Sequence, residues 1–466
     1  MKKTQTFTHL AKAIVAIGIA ALPLISNAQS INIGNPSNPL KISGLLFGDY
    51  AYKIQADSVG AKRKVTSEYA QLPKNYSGFN IRRAYLNFDY DITDRIHAEV
   101  VFAHESTTPT GAAEVAPDNN NIMFLKYADV RIKHVFTGTD LIIGQQRTPT
   151  FATSGGSEPL WEYRPIERTI TDFNRLASST DLGVGLEGKY LNNNLGYNIL
   201  YGNNQGAKAL SEETTPPNSA TTPFTTANTA PRLYGDVWYK FFNRLEVQLY
   251  ADYSCFNYNW DSSKTKYQTT SMTIKPMVAW IQPGLFTVGV EYYVQTNTHA
   301  ANDLSSETGV TSPQAVVQNA PAGKNTASVA NLRSTTPTGL SFWGHLVIIK
   351  DRDTNKVSKR VGYMQDGQKG GILSLFARYD SYNPDANMTD ALAGNKTNRV
   401  KIQSLATFYT AGLDWEPVKN IHIMPNIWVE SFTQKYDAAE LSSINFFNAQ
   451  KNSSDMVYRL SFYYNF

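Results

Sequence analysis

What the sequence lacks excludes several classes of protein. The 466-residue chain has one cysteine, Cys255, so it cannot form an internal disulfide. Beyond residue 28, no apolar run is long enough for a membrane-spanning helix. The net charge is +4, and three lysines without any acid lie in the first twelve residues. The remainder is therefore close to neutral and offers no basic surface for nucleic acid.

Patterns for catalysis and metal binding are also missing. The histidines beyond residue 28 have no cysteine partner and no metal-ligand spacing: His97, His104, His134, His299, His345 and His422. No nucleophile-elbow pattern occurs. Residues 183–188 match the glycine pattern of dinucleotide binding, but they lie in an alternating strand rather than before a helix. We therefore predict no catalytic residue, no metal and no cofactor.

The amino terminus has the pattern of a secretory signal peptide. Lys2 and Lys3 form a basic start, residues 11–25 are almost wholly apolar, and Ala28 ends a small-residue cleavage site. We predict a cleaved signal at residues 1–28 and a mature chain of residues 29–466. The alternative is a retained anchor.

What the sequence has in abundance is alternation with a period of two. Near the carboxyl terminus, Tyr458, Leu460 and Phe462 share one face, and the residues between them are more polar. Sixteen such segments occur: Leu40–Gln55, Phe79–Tyr90, Arg95–His104, Phe124–His134, Thr139–Gln146, Thr180–Tyr190, Leu195–Gly202, Arg232–Phe241, Leu245–Phe256, Tyr267–Trp280, Phe286–Thr296, Leu340–Ile349, Ile372–Tyr382, Asn398–Trp415, Ile421–Phe432 and Met456–Phe466. Each is predicted to be a strand with two different faces.

The connections alternate between short turns and long polar loops. This alternation is typical of an up-and-down transmembrane β-barrel with short periplasmic turns and long extracellular loops. The 27 tyrosines fit the aromatic girdles of such barrels. We predict an all-β, antiparallel barrel of about 16 strands. Residues 350–371 break the alternation, because they are long where a short turn is expected. They form either a long periplasmic excursion or a missed hairpin, which would give 18 strands.

The positions of charged residues support one orientation of the strands. An Arg or Lys on the lipid face near the membrane midplane costs about 2–4 kcal/mol, so charged side chains should face the lumen. The predicted lumen-facing residues are Arg83, Asp89, Asp129, Arg131, Lys133, Glu187, Lys189 and Arg378. Lys126 falls on the outward face, near a strand end where its long side chain could reach the headgroups.

The third long connection, residues 147–179, is the candidate constriction loop. It combines basic, acidic and aromatic residues, and a charged constriction selects solutes by size and sign. The candidate residues are Arg147, Trp161, Glu162, Arg164, Glu167, Arg168 and Arg175. The alternative is a solvated surface loop without a specific role.

Several segments resemble the phosphate-selective porin O and P family. They are residues 144–149, Glu167-Arg168, residues 181–188, residues 81–88 and Ala377-Arg378-Tyr379. The resemblance implies a sixteen-stranded trimeric porin whose pore is constricted, and a long turn before the strand with Ala377. Phosphate-specific members rely on a ladder of arginines and a cluster of lysines. Here acids offset the lumen bases, so anion selectivity does not follow.

These features predict an outer-membrane porin that passes small hydrophilic solutes or ions by passive diffusion. The alternatives are a phosphate- or anion-specific channel, or an outer-membrane barrel enzyme or receptor. The expected partners are outer-membrane lipid, small solutes or ions, two further copies in a homotrimer, and the barrel-assembly machinery. The last would recognise the carboxyl-terminal strand, which ends in Phe466. The expected location is the outer membrane of a Gram-negative bacterium.

Overall fold

The structure is a computed structural model of the chain. It describes residues 31–35, 38–57, 69, 72–105, 122–151, 170–174, 178–204, 206, 231–259, 266–282, 284–301, 333–349, 372–383, 386, 404–418, 420–434 and 452–466. Within these ranges, no helix has the length and apolar composition needed to cross a membrane. The predicted signal peptide, residues 1–28, lies outside them.

The described residues form β-strands almost throughout. In chain order the strands are β1 Ile31–Asn35, β2 Asn38–Gln55, β3 Ser77–Asp91, β4 Ile96–Glu105, β5 Phe124–Phe136, β6 Thr139–Arg147, β7 Thr180–Tyr190, β8 Leu195–Gly202 and β9 Arg232–Phe241. They continue as β10 Leu245–Asn259, β11 Lys266–Gln282, β12 Phe286–Ala301, β13 Arg333–Thr335, β14 Thr338–Ile349, β15 Ile372–Asn383, β16 Ser404–Val418, β17 Ile421–Gln434 and β18 Asn452–Asn465. Between β6 and β7 lie a 3₁₀ turn, Pro149–Phe151, and a short helix, α1, at Ile170–Phe173.

Sixteen of these strands form a closed antiparallel barrel. From β2 to β12 and from β14 to β18 each strand pairs with the next, β12 pairs with β14, and β18 pairs with β2 to close the wall. The prediction of a sixteen-stranded barrel is confirmed. β14 pairs directly with β15, so no further hairpin enters the wall between them. The intervening residues 350–371 lie outside the described ranges.

Two short strands lie outside the predicted set. β1 has five residues, pairs with the first residues of β2 and precedes the first predicted segment. β13 pairs with the end of β12, inside a predicted loop. β13, with three residues, is too short to give a recognisable alternation, which needs at least four.

The tight turns at one end of the barrel use left-handed backbone. Asn192 and Asn193 have φ values of 54° and 65°, between β7 and β8. Asn243 and Asn420 have φ values of 56° and 70° in two other turns. Asparagine tolerates this conformation better than most residues, so these turns join neighbouring strands without a long loop.

The alternation produces two distinct faces. On β18, Tyr458 is 54% exposed on the outer face, whereas Val457 and Arg459 on the inner face are 0% and 3% exposed. On β10, Leu249 on the outer face is 48% exposed and Gln248 on the inner face is 2% exposed. The outer face is therefore apolar, as contact with lipid requires.

Two β-bulges change which face a cation occupies. In the pairing of β4 with β5, Val101 lies opposite Tyr127 and Phe102 opposite Leu125, so Lys126 is an extra residue. Residues at a bulge depart from strict alternation, and Lys126 and Tyr127 are both buried. The prediction that Lys126 faces lipid is wrong, because it assumed unbroken alternation.

Arg82 is a second extra residue of this kind. Phe47 lies opposite Arg83 and Gly48 opposite Ile81, so Arg82 is an extra residue in the β2–β3 register. Arg82 is 0% exposed and Arg83 is 5% exposed. Both guanidinium groups therefore lie inside the barrel. Alternation alone places only that of Arg83 there.

Candidate functional site: the inner wall and its loops

The first residues of the third long loop (147–179) lie along the inner wall. The Pro149–Phe151 turn lies against β8, β9 and β10. The Lys275 ammonium on β11 donates a hydrogen bond to the Thr150 carbonyl at 2.6 Å, and the Thr150 hydroxyl donates to the Tyr250 hydroxyl at 2.9 Å. Residues 149–151, just after β6, therefore lie inside the barrel against β8–β11.

A later part of this loop lies on the opposite side. Ile170 of α1 is 0% exposed and packs against Tyr293 on β12 and Tyr382 on β15. Around the wall, β15 is eight strands from β6, half of the sixteen. α1 thus contacts the side of the wall opposite to β6, where the loop begins.

The first long loop (56–76) also contacts the interior. Tyr69 and Leu72 are 1% and 5% exposed and form an apolar cluster with Phe408, Trp428 and Val457. The Tyr69 ring lies 5.5 Å from that of Trp428.

Polar contacts hold Tyr69 as well. Its hydroxyl donates to the Asp49 carboxylate at 2.8 Å, and the Lys53 ammonium donates to the Tyr69 carbonyl at 2.5 Å. The Arg82 guanidinium lies 3.3 Å from the Tyr69 hydroxyl and 3.8 Å from Asp49. Tyr69 and Leu72 therefore lie against the inner faces of β2, β16, β17 and β18.

The inner face is divided into two regions. We call the inner faces of β3–β8 the open wall, because polar side chains there are part-exposed: Asn87, Asp89, His97, Asp129, Arg131, Lys133, Asp140, Glu187, Lys189 and Asn198. We call the inner faces of β9–β18 and β2 the packed wall, because most polar side chains there are buried, including Asp49, Lys53, Arg232, Asp252, Lys275, Glu291, Asp380 and Glu430. The side chains of Arg131 and Lys133 are 28% and 32% exposed, whereas that of Lys275 is 4% exposed.

A cavity of about 260 Å³ lies against the open wall. Its charged lining residues are Asp89, His97, Glu99, Asp129, Arg131, Arg147 and Glu187. The lining combines four carboxylates with two guanidinium groups and one imidazole, so the cavity is polar and acidic.

Most cations on the open wall are paired with carboxylates. Arg147, a predicted constriction residue, forms two hydrogen bonds with Glu99, at 2.5 and 2.9 Å, and lies over the Tyr127 ring. Arg131 lies 2.7 Å from Glu187 and 3.2 Å from Asp140.

The remaining predicted lysines of the open wall follow the same rule. Lys189 lies 2.6 Å from Glu187, and Lys133 lies 3.0 Å from Asp91. The charges of these bases are therefore offset within the wall itself.

Two predicted carboxylates lack such a partner. Asp89 accepts a hydrogen bond from the Asn87 amide at 2.6 Å and lies 3.4 Å from His97. Asp129 makes no ion pair or hydrogen bond to the described part of the chain.

The last two predicted lumen residues are less accessible to water. Arg83 pairs with Glu105 at 3.0 Å, beside Tyr85 and Lys126, which also bond to Glu105. Arg378 lies on the packed wall, is 3% exposed and pairs with Asp380.

The other predicted constriction residues lie outside the described ranges: Trp161, Glu162, Arg164, Glu167, Arg168 and Arg175. Among the described residues, no group of three or more His, Cys, Asp or Glu could hold a metal ion. The glycines of 183–188 lie within β7, which a turn and then β8 follow, so no helix terminus is available for a dinucleotide.

Sequence reasoning missed Tyr69, Arg82 and Lys126 as interior residues. The signal for the two cations was weak but present, since each is a charged residue at a position that alternation assigns to lipid. Tyr69 gave no signal, because it lies in a polar loop without a periodic pattern.

Comparison with known proteins gives a match in fold. No family model matches the chain, and no curated protein matches it. The outer membrane channel DcaP of Acinetobacter baumannii is 10% identical with a TM-score of 0.53, over 93% of this chain and 99% of that chain. An anion-selective porin of Comamonas acidovorans is 10% identical with a TM-score of 0.49, over 92% and 100% of the two chains. The similarity to DcaP spans the whole barrel, so this chain has the fold of an outer-membrane β-barrel channel.

Proposed function

We propose that this protein is an outer-membrane porin that passes small hydrophilic solutes or ions by passive diffusion. The part-exposed polar residues of the open wall carry the proposal. They lie inside a closed barrel whose outer face is apolar, and a polar inner surface beside lipid-facing walls is what an aqueous pore requires.

The third long loop is proposed to set the width of the pore. The contacts of Thr150 with β10 and β11 and of Ile170 with β12 and β15 support this role. A loop held at both places leaves less of the cross-section for solutes. Arg147 and the residues from Trp161 to Arg175 would then set the field in the narrow region.

The expectations about export and assembly form part of the same proposal. A cleaved signal at residues 1–28 would deliver the chain to the periplasm, and the barrel-assembly machinery would recognise the carboxyl-terminal strand. Three copies would assemble as a homotrimer in the outer membrane. No catalytic residue, metal or cofactor enters the proposed function.

Phosphate or anion selectivity is the second candidate, and it rests on the family resemblance around residues 139–190. The pairing of Arg131, Arg147, Lys133 and Lys189 with carboxylates weakens it, because a ladder of cations can attract an anion only when their charge is not offset nearby.

Conductance in planar bilayers tests the proposal. The purified protein should produce large, stepwise increases in current, and no conductance would overturn the porin assignment in favour of an enzyme or receptor. Deleting residues 161–173 should enlarge the steps, because it removes the segment that includes Ile170. Deleting residues 210–222, an equal length of another long loop, is the matched control and should leave the step size unchanged. Equal steps for all three proteins would contradict the constriction by residues 147–179.

A further inference from the structure

We propose that solutes pass beside the open wall rather than through the centre of the barrel, and that this path prefers cations. The preferred cations include small organic solutes that carry an ammonium group. This inference rests on the proposed function, since it concerns the route and the substrate class of the same pore. Two independent features support it: the distribution of water-accessible residues, and the charge of the cavity.

The route follows from what covers the packed wall. Tyr69 and Leu72 of the first long loop cover the inner faces of β2, β16, β17 and β18. The third long loop lies against β9 and β10 of the packed wall, and the adjoining β8, at the Pro149–Phe151 turn. At Ile170 it lies against β12, β14 and β15. The part-exposed polar side chains are concentrated on β3–β8, beside the cavity of about 260 Å³. A hydrated solute therefore meets polar groups mainly on one side of the barrel.

The charge of the cavity follows from its lining. Asp89, Glu99, Asp129 and Glu187 supply four carboxylates, and Arg131 and Arg147 supply two guanidinium groups. Even when His97 is counted as a cation, the carboxylates outnumber the bases.

Pairing sharpens this imbalance. Both guanidinium groups are already bound to carboxylates, Arg147 to Glu99 and Arg131 to Glu187. Asp89 and Asp129 have no described ion pair with Lys or Arg, and both side chains are part-exposed. Their charge is thus directed at whatever occupies the cavity.

The low-dielectric barrel wall and the surrounding lipid focus such a field along the aqueous path. A cation is stabilised near the two carboxylates and an anion is repelled. Because the charges are in contact with water, the effect should be strong in dilute salt and weak at 1 M salt, where the Debye length is about 3 Å.

The first test measures the reversal potential of the full-length protein in planar bilayers under a tenfold gradient of KCl. We expect a preference for K⁺ over Cl⁻, which the double variant Asp89→Asn/Asp129→Asn should lower by about fivefold in dilute salt. Asp94→Asn is the matched control, since Asp94 is an exposed turn residue outside the cavity lining, and it should leave the ratio close to that of the natural protein. Replacing K⁺ with choline tests the organic cation, which should still carry current.

The second test locates the path by cysteine accessibility. Cys255 is the single native cysteine. In the Cys255→Ser protein, Asn87→Cys and Asn198→Cys on the open wall should react with a trimethylammonium methanethiosulfonate, and the reaction should reduce the conductance. Ser271→Cys and Ser374→Cys on the packed wall, where the serines are 0% and 1% exposed, should react at least tenfold more slowly. A methanethiosulfonate that carries a negatively charged sulfonate group should modify the open-wall cysteines more slowly than the trimethylammonium reagent does.

The outcomes separate this inference from the proposed function. Normal conductance with an anion preference, or with a reversal potential unchanged in the double variant, would overturn the cation path and leave the porin intact. Equal reaction rates at the open and packed walls would overturn the route. Absence of any conductance in the natural protein would instead remove the proposed function itself.

Discussion

The open wall and the packed wall belong to one barrel and share one backbone pattern, yet they use their inner faces differently. Both are built from strands whose inward residues are mostly polar. On the open wall those residues form part-exposed ion pairs, as Lys133 does with Asp91, whose side chains are 32% and 34% exposed. On the packed wall the ion pairs are buried, as in Arg232–Asp252, whose side chains are 2% and 0% exposed.

The difference shows that the inner face of a barrel can either line a water-filled space or form part of a buried core. Buried charges need partners, because removing a charge from water costs several kcal/mol. The pairs Lys53–Asp455 and Arg378–Asp380 meet this need on the packed wall. Both pairs lie beside the apolar cluster that includes Trp428, since Lys53 bonds to the Tyr69 carbonyl and Arg378 lies over the Phe408 ring. Substitutions on the packed wall should therefore cost stability, and substitutions of the part-exposed residues on the open wall should mainly alter conduction.

The largest expected effect is that of Trp428→Ala. Trp428 is 2% exposed and its ring lies 4.6 Å from that of Phe408. Removing it leaves a cavity beside the Tyr69 segment and should lower the free energy of unfolding by about 3–5 kcal/mol. Guanidinium titration of the protein in detergent micelles measures this. The open-wall control, Asn87→Ala, loses hydrogen bonds at a part-exposed site and should cost about 1 kcal/mol at most. Equal losses would break the distinction between the walls.

An intermediate effect is expected for Lys126→Met. Lys126 is 4% exposed, and its ammonium bonds to Glu105 and, at 3.1 Å, to the Tyr85 hydroxyl. Its loss leaves Glu105 with Arg83 and Tyr85 and should destabilise the barrel by about 2 kcal/mol.

Lys133→Met is the matched control for this prediction, since Lys133 forms a part-exposed pair with Asp91. That variant should change the stability by less than about 1 kcal/mol. If the two lysine variants unfold at the same denaturant concentration, Lys126 is not held inside the barrel as described.

The smallest effect compares two glycines. A Cβ at Gly289 would overlap the ring of Trp343 on the neighbouring strand, so Gly289→Ala should displace that ring and cost about 1–2 kcal/mol. At Gly235 the nearest heavy atoms lie 4.0 Å from such a Cβ, so Gly235→Ala should be tolerated. Thermal unfolding followed by circular dichroism compares the two, and a larger loss for Gly235→Ala would contradict the packing of Trp343.

Much of the barrel could be predicted from the sequence, because a period of two is a local property of each segment. The bounds of β7, β8 and β9 match the alternating segments residue for residue. The bulges at Arg82 and Lys126 could not be placed this way, since an extra residue appears only when two strands are aligned against each other. The packing of Tyr69 against Trp428 depends on contacts between residues far apart in the chain, which no local pattern encodes.

The bulges also affect how such barrels are compared with one another. When a strand with an extra residue is aligned without a gap to a strand that lacks one, the inward and outward positions no longer correspond. Every later residue of the strand is then assigned to the wrong face. An alignment of this chain with a barrel that lacks these bulges needs a one-residue gap at Arg82 and another at Lys126. With those gaps in place, two cations are counted among the residues of the interior rather than among those of the membrane surface.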